Sequence, residues 1–334
     1  TPQEPVFIPA QEIRAFVFLR GVAEKGDVVL GSFDVSNRVP AWAAVHTITG
    51  HGPESTGKST LAARLAAGEG EPLNAAALRA PLPRTWQWLD GSAFHTHGEL
   101  MQVAFNSAPT DNDRPLMYQG MSDRFLAPRQ AAAFPDEALG IDFEGEFGVI
   151  VDAVPMGVTA EQAARHIRLV VQINDWSLRT IAPVEMKTGF GWVQAKPACS
   201  VAPFAVTPDE LGGDWRDDRF CGQLLVEWSG QRFGLVSADE MAFSFSELIA
   251  HAARTRQLTA GTMIGSGTVS NRDYASRGSA CISEVRAIEM IAHGAPQTAF
   301  MTFGDTVRMT GRGSDGSEPF GSIEQEVVPA GCGG

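Results

Sequence analysis

Three segments of the chain carry residue types that could do chemistry together. The most informative reads Ile141-Asp142-Phe143-Glu144-Gly145-Glu146-Phe147-Gly148-Val149-Ile150-Val151. At a period of two, Ile141, Phe143, Phe147, Val149 and Val151 share one face, and Asp142, Glu144 and Glu146 share the other. Neighbouring carboxylates on that face stand roughly 6.6 Å apart, at about 3.3 Å of rise per residue. Like charges at that distance repel unless water or a cation screens them. An isolated Glu-x-Glu is ordinarily a solvated strand face. Asp175 shifts the balance, because it closes the apolar run Leu169 to Asn174, and a carboxylate ending a buried strand tends to have a partner. Two or more carboxylates with no cysteine nearby suit a hard, oxygen-seeking ion: Mg²⁺, Mn²⁺ or Ca²⁺. The third segment, Trp88 to Glu99, offers Asp90 as another ligand and two histidines, His95 and His97, at i and i+2. In a strand those two point the same way and form a His-x-His zinc site. In a polar loop they are surface histidines. Spacing alone leaves both open.

A competing motif lies upstream. Gly52-Pro53-Glu54-Ser55-Thr56-Gly57-Lys58-Ser59 matches the phosphate-binding pattern G-x-x-x-x-G-K-[ST]. The flanks suit it, with Ala41 to Ile48 strand-like and Thr60 to Ala67 helix-like. Such a loop would cradle phosphates with backbone N–H groups at a helix N-terminus. Residues 1–80 are too few for the multi-stranded parallel sheet that carries these loops, and no apolar strand there ends in a metal-binding aspartate. A linker loop with a capped helix is the simpler reading.

Further motifs stand in order along the rest of the chain. Asp90 is followed seven residues on by His97, then come Pro115-Leu116-Met117-Tyr118-Gln119-Gly120, Asp142-Phe143-Glu144-Gly145-Glu146 and Asn174-Asp175-Trp176-Ser177-Leu178-Arg179. Lys196, Gly265-Ser266-Gly267-Thr268-Val269-Ser270, Cys281-Ile282-Ser283-Glu284 and Phe320-Gly321-Ser322-Ile323 complete the series. With these motifs, from about Pro81 to Val328, the chain resembles the fumarylacetoacetate hydrolase superfamily. The resemblance implies an α+β architecture: a mixed β-sandwich roll catalytic domain over 81–330, behind a small β-rich N-terminal domain over 1–80, in a homodimer. It implies a divalent cation, Mg²⁺ first and Mn²⁺ or Ca²⁺ next, held by Asp90, Glu144, Glu146 and Asp175. It places the water-activating pair on His97 and Glu284, the groups that steady substrate oxygens on Arg179 and Lys196, and substrate contacts on Tyr118 and Thr268. The implied reaction is hydrolysis of a C–C bond in a 1,3-diketo acid of the fumarylacetoacetate or acylpyruvate kind. Decarboxylases and isomerases share the fold and are the alternative. Two positions depart from the fumarylacetoacetate enzymes proper. Ala182 stands in place of a glutamine and Asn106 in place of a substrate-binding arginine, so reaction type carries over better than substrate.

The elements that must position these groups are partly legible. Leu169 to Ile173, Leu224 to Trp228 and Thr306 to Thr310 read as strands. Thr159-Ala160-Glu161-Gln162 is a capping box opening a helix toward Ile167. A second helix is expected from about Ser246 to Arg256, where Leu248, Ile249, Ala252 and Ala253 recur at helical spacing. Strands without regular βαβ alternation point to α+β. The short apolar runs Phe16 to Leu19, Val28 to Leu30 and Ala41 to Val45 suggest a β-rich first unit, with the boundary near Ala80 to Arg84.

The 334 residues, 44% apolar and 19% charged, have a globular balance. With 39 acidic and 26 basic residues the formal charge is −13. That argues against a nucleic acid or an anionic membrane as the main partner and fits carboxylates held for a cation, while the resemblance implies a small-molecule diketo acid as the partner. No apolar run is long enough to span a bilayer. Cys199, Cys221, Cys281 and Cys332 form no Cys-x-x-Cys pair, which points to free thiols in a reducing compartment, the cytoplasm.

Overall fold

The computed structural model describes residues 78–106 and 113–331, together with two short strands near the N-terminus. Those strands, β1 (Phe18–Leu19) and β2 (Val28–Val29), pair antiparallel and fall on two of the apolar runs noted above. The rest of the expected N-terminal unit, the Gly52–Ser59 loop included, lies outside the described residues.

The described residues from 78 onward are built on two sheets. Six strands form the first: β3 (Trp88–Gly91), β4 (Met117–Gly120), β7 (Gly145–Val151), β8 (Ile167–Asn174), β10 (Ser200–Val201) and β15 (Met263–Gly265). Their spatial order is β10-β8-β7-β15-β3-β4. The second sheet holds β5 (Ala132–Phe134), β13 (Gln223–Trp228), β14 (Gln231–Ser237), β16 (Thr306–Arg312) and β17 (Ser322–Pro329), in the order β14-β13-β16-β17-β5. Two pairings are parallel, β3 with β15 and β5 with β17, so both sheets are mixed. Two-stranded pieces complete the β structure: β6 (Ile141–Asp142) with β9 (Ser177–Leu178), and β11 (Trp215–Arg216) with β12 (Arg219–Phe220).

The main core lies where the sheets meet. Leu89, Phe147, Val149 and Val170 of the first sheet join Leu224, Val226, Met309 and Ile323 of the second in one buried cluster. Phe147 anchors it, with ring centroids 4.5 Å from Phe220 and 5.6 Å from Phe320. A smaller core covers the opposite face of the first sheet. Trp88, Ile150, Ile173 and Met263 belong to it. Both faces of β7 are therefore covered, and all seven of its residues are buried.

The capping box at Thr159 is present, opening α2 (Ala160–Ala163), which passes into a 3₁₀ turn before β8. The second expected helix, α4, spans Phe245–Ala252 and is capped by Ser244 and Glu247. The sequence reading missed two longer helices, α1 (His95–Phe105) and α6 (Ile282–His293), which pack on each other. Two shorter ones, α3 (Ala182–Thr188) and α5 (Tyr274–Arg277), were missed as well. Among the described residues no helix is long and apolar enough to cross a membrane. Cys199, Cys221 and Cys281 are free thiols.

Candidate active site

The first sheet delivers its carboxylates to one end of its outer face. Asp90 follows Trp88 on β3, and Glu146 precedes Gly148 and Ile150 on β7, so each shares the face of the smaller core. Asp175 continues β8 just past Asn174. Between β3 and β7 runs β15, whose Gly265 pairs with both Asp90 and Gly148. A Cβ at Gly265 would stand 2.3 Å from Asp90 Oδ1 and 2.3 Å from the Trp88 ring, so only hydrogen fits there. Gly265→Ala is therefore expected to push Asp90 out of place, costing about 1–3 kcal/mol of stability and most of any divalent-cation affinity. Thermal unfolding and calorimetric titration with Mn²⁺ check this; unchanged affinity would refute the placement of Asp90.

Ligand atoms of Asp90, Glu146 and Asp175 lie within 4.8 Å of one another, and all three residues are buried. Among the described residues no hydrogen-bond partner reaches either carboxylate oxygen of Glu146. Burial, reinforced by the charges of Asp90 and Asp175, pushes Glu146 well above the ordinary carboxylate range. Asp90 is raised in the same way, by burial and then by Asp175, although the Gly267 N–H donates to its Oδ1 at 3.1 Å.

Glu144 stands apart from this trio. Arg179 Nη2 donates to its Oε1 at 2.5 Å and Lys196 Nζ to its Oε2 at 2.6 Å. Burial alone would raise the Glu144 carboxyl, but Lys196 and Arg179 hold it far below the usual range. Of the four expected metal ligands, then, three share one point of space, and the fourth has both oxygens engaged by cations.

The two cations are equally committed. Lys196 Nζ also donates to Asp175 Oδ2 at 2.6 Å, and Arg179 Nε to Asp142 Oδ2 at 2.7 Å. Burial would lower both, yet Asp175 and Glu144 raise the lysine, and Glu144 and Asp142 raise the arginine. Asp142 has a second task, accepting from the N–H groups of Ile282 at 2.7 Å and Ser283 at 3.0 Å. It thereby holds the N-terminus of α6 to the carboxylate strand.

That helix positions the second half of the site. Glu284 lies in its first turn, accepts from Ser279 Oγ, and meets His97 Nδ1 with Oε1 at 2.8 Å. With Nδ1 donating to Glu284, the lone pair of His97 is on Nε2. His97 belongs to α1, so the His-x-His strand site is corrected: on a helix, i and i+2 diverge. His95 accordingly turns away to lie edge-on against Phe243. His97, Cys281 and Glu284 also bring ligand atoms within 4.8 Å of one another. The Cys281 thiol is raised by burial and by Asp142, which keeps it neutral and a poor ligand.

Tyr118 pairs with Asp90 across β3 and β4, and its hydroxyl donates to Asp175 Oδ2 at 2.5 Å. Thr268 is buried just after β15, and among the described residues its hydroxyl has no partner. The sequence reading missed Cys199, whose thiol donates to Asp175 Oδ1 at 2.8 Å. It missed Trp192 too, which stacks on Tyr118 with centroids 5.4 Å apart. Cys199 lies three residues beyond Lys196, close enough in sequence to have been considered.

The donor set fits a hard divalent cation. Five buried carboxylates, Asp90, Asp142, Glu144, Glu146 and Asp175, are set against two buried cations bonded to them, Arg179 and Lys196. An excess of buried negative charge with an unpartnered carboxylate at its centre is costly unless a cation shares it. Asp90, Glu146 and Asp175 would hold that ion, with Glu144 next to it.

The family model for the fumarylacetoacetate (FAA) hydrolase C-terminal region matches residues 87–328. The 2,4-didehydro-3-deoxy-L-rhamnonate hydrolase of Sphingomonas sp. (strain SKA58) is 25% identical over 157 residues, 46% of this chain and 52% of that protein. The chain thus spans about half the length of the curated relatives it matches. Among solved structures, 5-carboxymethyl-2-hydroxymuconate delta-isomerase from Mycobacterium smegmatis superposes with a TM-score of 0.53 at 19% identity, covering 76% of this chain and 82% of that one. Fumarylpyruvate hydrolase from Pseudomonas aeruginosa, in complex with Mn²⁺ and pyruvate, gives 0.53 at 14% identity, covering 73% and 90%. At such identities these structures speak to the fold alone.

Proposed function

The chain belongs to the fumarylacetoacetate hydrolase family, and from that premise we propose that it is a divalent-metal-dependent hydrolase cleaving a C–C bond of a 1,3-diketo acid. The observation that carries the reading is a carboxylate trio, one of its carboxylates without a donor among the described residues, next to Glu144, on whose charge the His97 of a histidine–carboxylate dyad acts. Asp90, Glu146 and Asp175 hold the ion, Mg²⁺ or Mn²⁺ before Ca²⁺. When bound, the ion supplies Lewis-acid polarisation of the substrate's oxygens.

The chain's own residues do the rest. His97 takes a proton from water at Nε2, while Glu284 holds the ring through Nδ1 and stabilises the imidazolium that forms. The resulting hydroxide adds to the carbonyl farther from the substrate's carboxylate. The bond between that carbonyl carbon and the neighbouring methylene then breaks. Its electron pair stays on the methylene carbon, which is protonated as the α-keto acid leaves. Lys196, between Glu144 and Asp175, is the cation placed to stabilise oxyanion charge. Arg179, bound to Asp142 on β6 and to Glu144, acts by holding Glu144 in place. Tyr118 and Thr268 complete the substrate's surroundings.

An isomerase needs no activated water, and the M. smegmatis neighbour carries an isomerase name. The His97–Glu284 dyad favours hydrolysis over that reading. Stripping the protein with chelator and restoring Mg²⁺, Mn²⁺, Ca²⁺ or Zn²⁺ tests the proposal, with loss of diketone ultraviolet absorbance as the readout. Restoration by a hard cation is expected. Diketones that stay intact with every metal would overturn it.

A further inference from the structure

One loop at the edge of the site is held in an uncommon way. Glu185, half-buried on α3, accepts hydrogen bonds from three consecutive backbone N–H groups: Val193 at 3.1 Å, Gln194 at 2.9 Å and Ala195 at 2.9 Å. Those bonds lower its carboxyl pKa against the opposing effect of burial. The residue after Ala195 is Lys196, and the residue before Val193 is Trp192. Trp192 is half-buried, stacks on Tyr118, and lies 5.3 Å from Lys196 Nζ. It therefore separates the buried cluster from solvent on this side.

Beside Trp192 the surface is apolar. Phe190 is 97% exposed and Val193 82%, with Val184 and Met186 of α3 exposed as well. Both cations of the cluster are already bound to carboxylates. Five buried carboxylates against those two cations make the cluster negative, a divalent ion plus the substrate's first carboxylate leaves it so, and a second carboxylate on the substrate is repelled.

We propose that Trp192 is a specificity-determining residue for the acyl part of the substrate, selecting an apolar acyl group, and that Glu185 is the positioning residue that holds it there. The proposal rests on the diketo-acid reading and deepens it: the substrate class becomes acylpyruvates whose acyl end is uncharged.

Two measurements test it on the full chain loaded with Mn²⁺. The first compares an acylpyruvate ending in a butyl group with one of equal length ending in a carboxylate, by turnover and by calorimetric binding. The wild type should favour the butyl compound, and Trp192→Ala should lower its kcat/KM on the order of 10- to 100-fold, mainly through KM, with Mn²⁺ affinity unchanged. A preference for the carboxylate-terminated compound, or an equal loss for both, would overturn the specificity claim. If neither compound is cleaved the hydrolase reading falls, and the binding preference still decides the role of Trp192. The second measurement is acrylamide quenching of tryptophan fluorescence. Glu185→Ala should increase quenching, Glu185→Gln should restore part of the protection, and neither change should appear in a Trp192→Phe background. Unaltered quenching in Glu185→Ala would show that the carboxylate does not hold the loop.

Discussion

Glu146→Gln is expected to abolish turnover and divalent-cation binding while making the metal-free protein more stable. The two effects have one cause. Glu146 is buried, no donor among the described residues reaches either of its oxygens, and it lies against Asp90 and Asp175. In the metal-free protein ionising it is costly, which is what raises its pKa, and a carboxyl so raised loses stability as the pH climbs past its ordinary value. Glutamine keeps the shape, does not ionise, and offers an amide donor to the neighbouring carboxylates. A gain of roughly 1 kcal/mol is expected, which for a domain of this size raises the melting temperature by about 2–4 °C. The wild type should gain stability on adding Mn²⁺ and the variant should not. Paired melting curves with and without Mn²⁺ measure both effects. A destabilised variant that still responds to Mn²⁺ would place the ion elsewhere.

His97→Ala should have the opposite profile, with the metal kept and the chemistry lost. His97 sits on α1 and reaches the site through Glu284, outside the carboxylate trio. A positioned general base contributes on the order of 10²–10⁴ in rate, so kcat should fall by that factor while Mn²⁺ affinity holds. Loss of affinity together with activity would make His97 a ligand. An unaltered kcat would leave the water to be activated by another group.

Much of this arrangement was legible in the sequence, for physical reasons. The alternation over residues 141–151 is borne out only in part: β6 ends at Asp142, Phe143 and Glu144 lie in no strand, and β7 begins at Gly145, from where Phe147, Val149 and Val151 face a large core. The alternation could not reveal that the opposite face is also covered, since Glu146, Gly148 and Ile150 do not read as an apolar stripe. Only the smaller core, assembled from Trp88, Ile173 and Met263, shows that the carboxylates are buried. The capping boxes at Thr159 and Ser244 were visible because their hydrogen bonds are local. Helix α1 was not: Phe94 supplies no side-chain cap, and its first turn has no acidic residue. Helix α6 has a thiol, Cys281, as its local cap, an unusual capping residue, and its other N-terminal bonds go to Asp142, 140 residues away in sequence from Ile282. The pairing of Arg179 with Asp142 and Glu144 depends on β6 lying against β9, a non-local contact that spacing does not encode. Trp192 escaped notice because its meaning comes from Glu185, Tyr118 and Lys196, which meet only in the fold.

Cleavage of a C–C bond by addition of water leaves a label. With the Mn²⁺-loaded protein and acetylpyruvate in ¹⁸O-water, mass spectrometry is expected to find pyruvate and acetate in equal amounts, with one ¹⁸O atom in the acetate carboxylate. Release of carbon dioxide, or a rearranged diketone without cleavage, would overturn the hydrolase assignment.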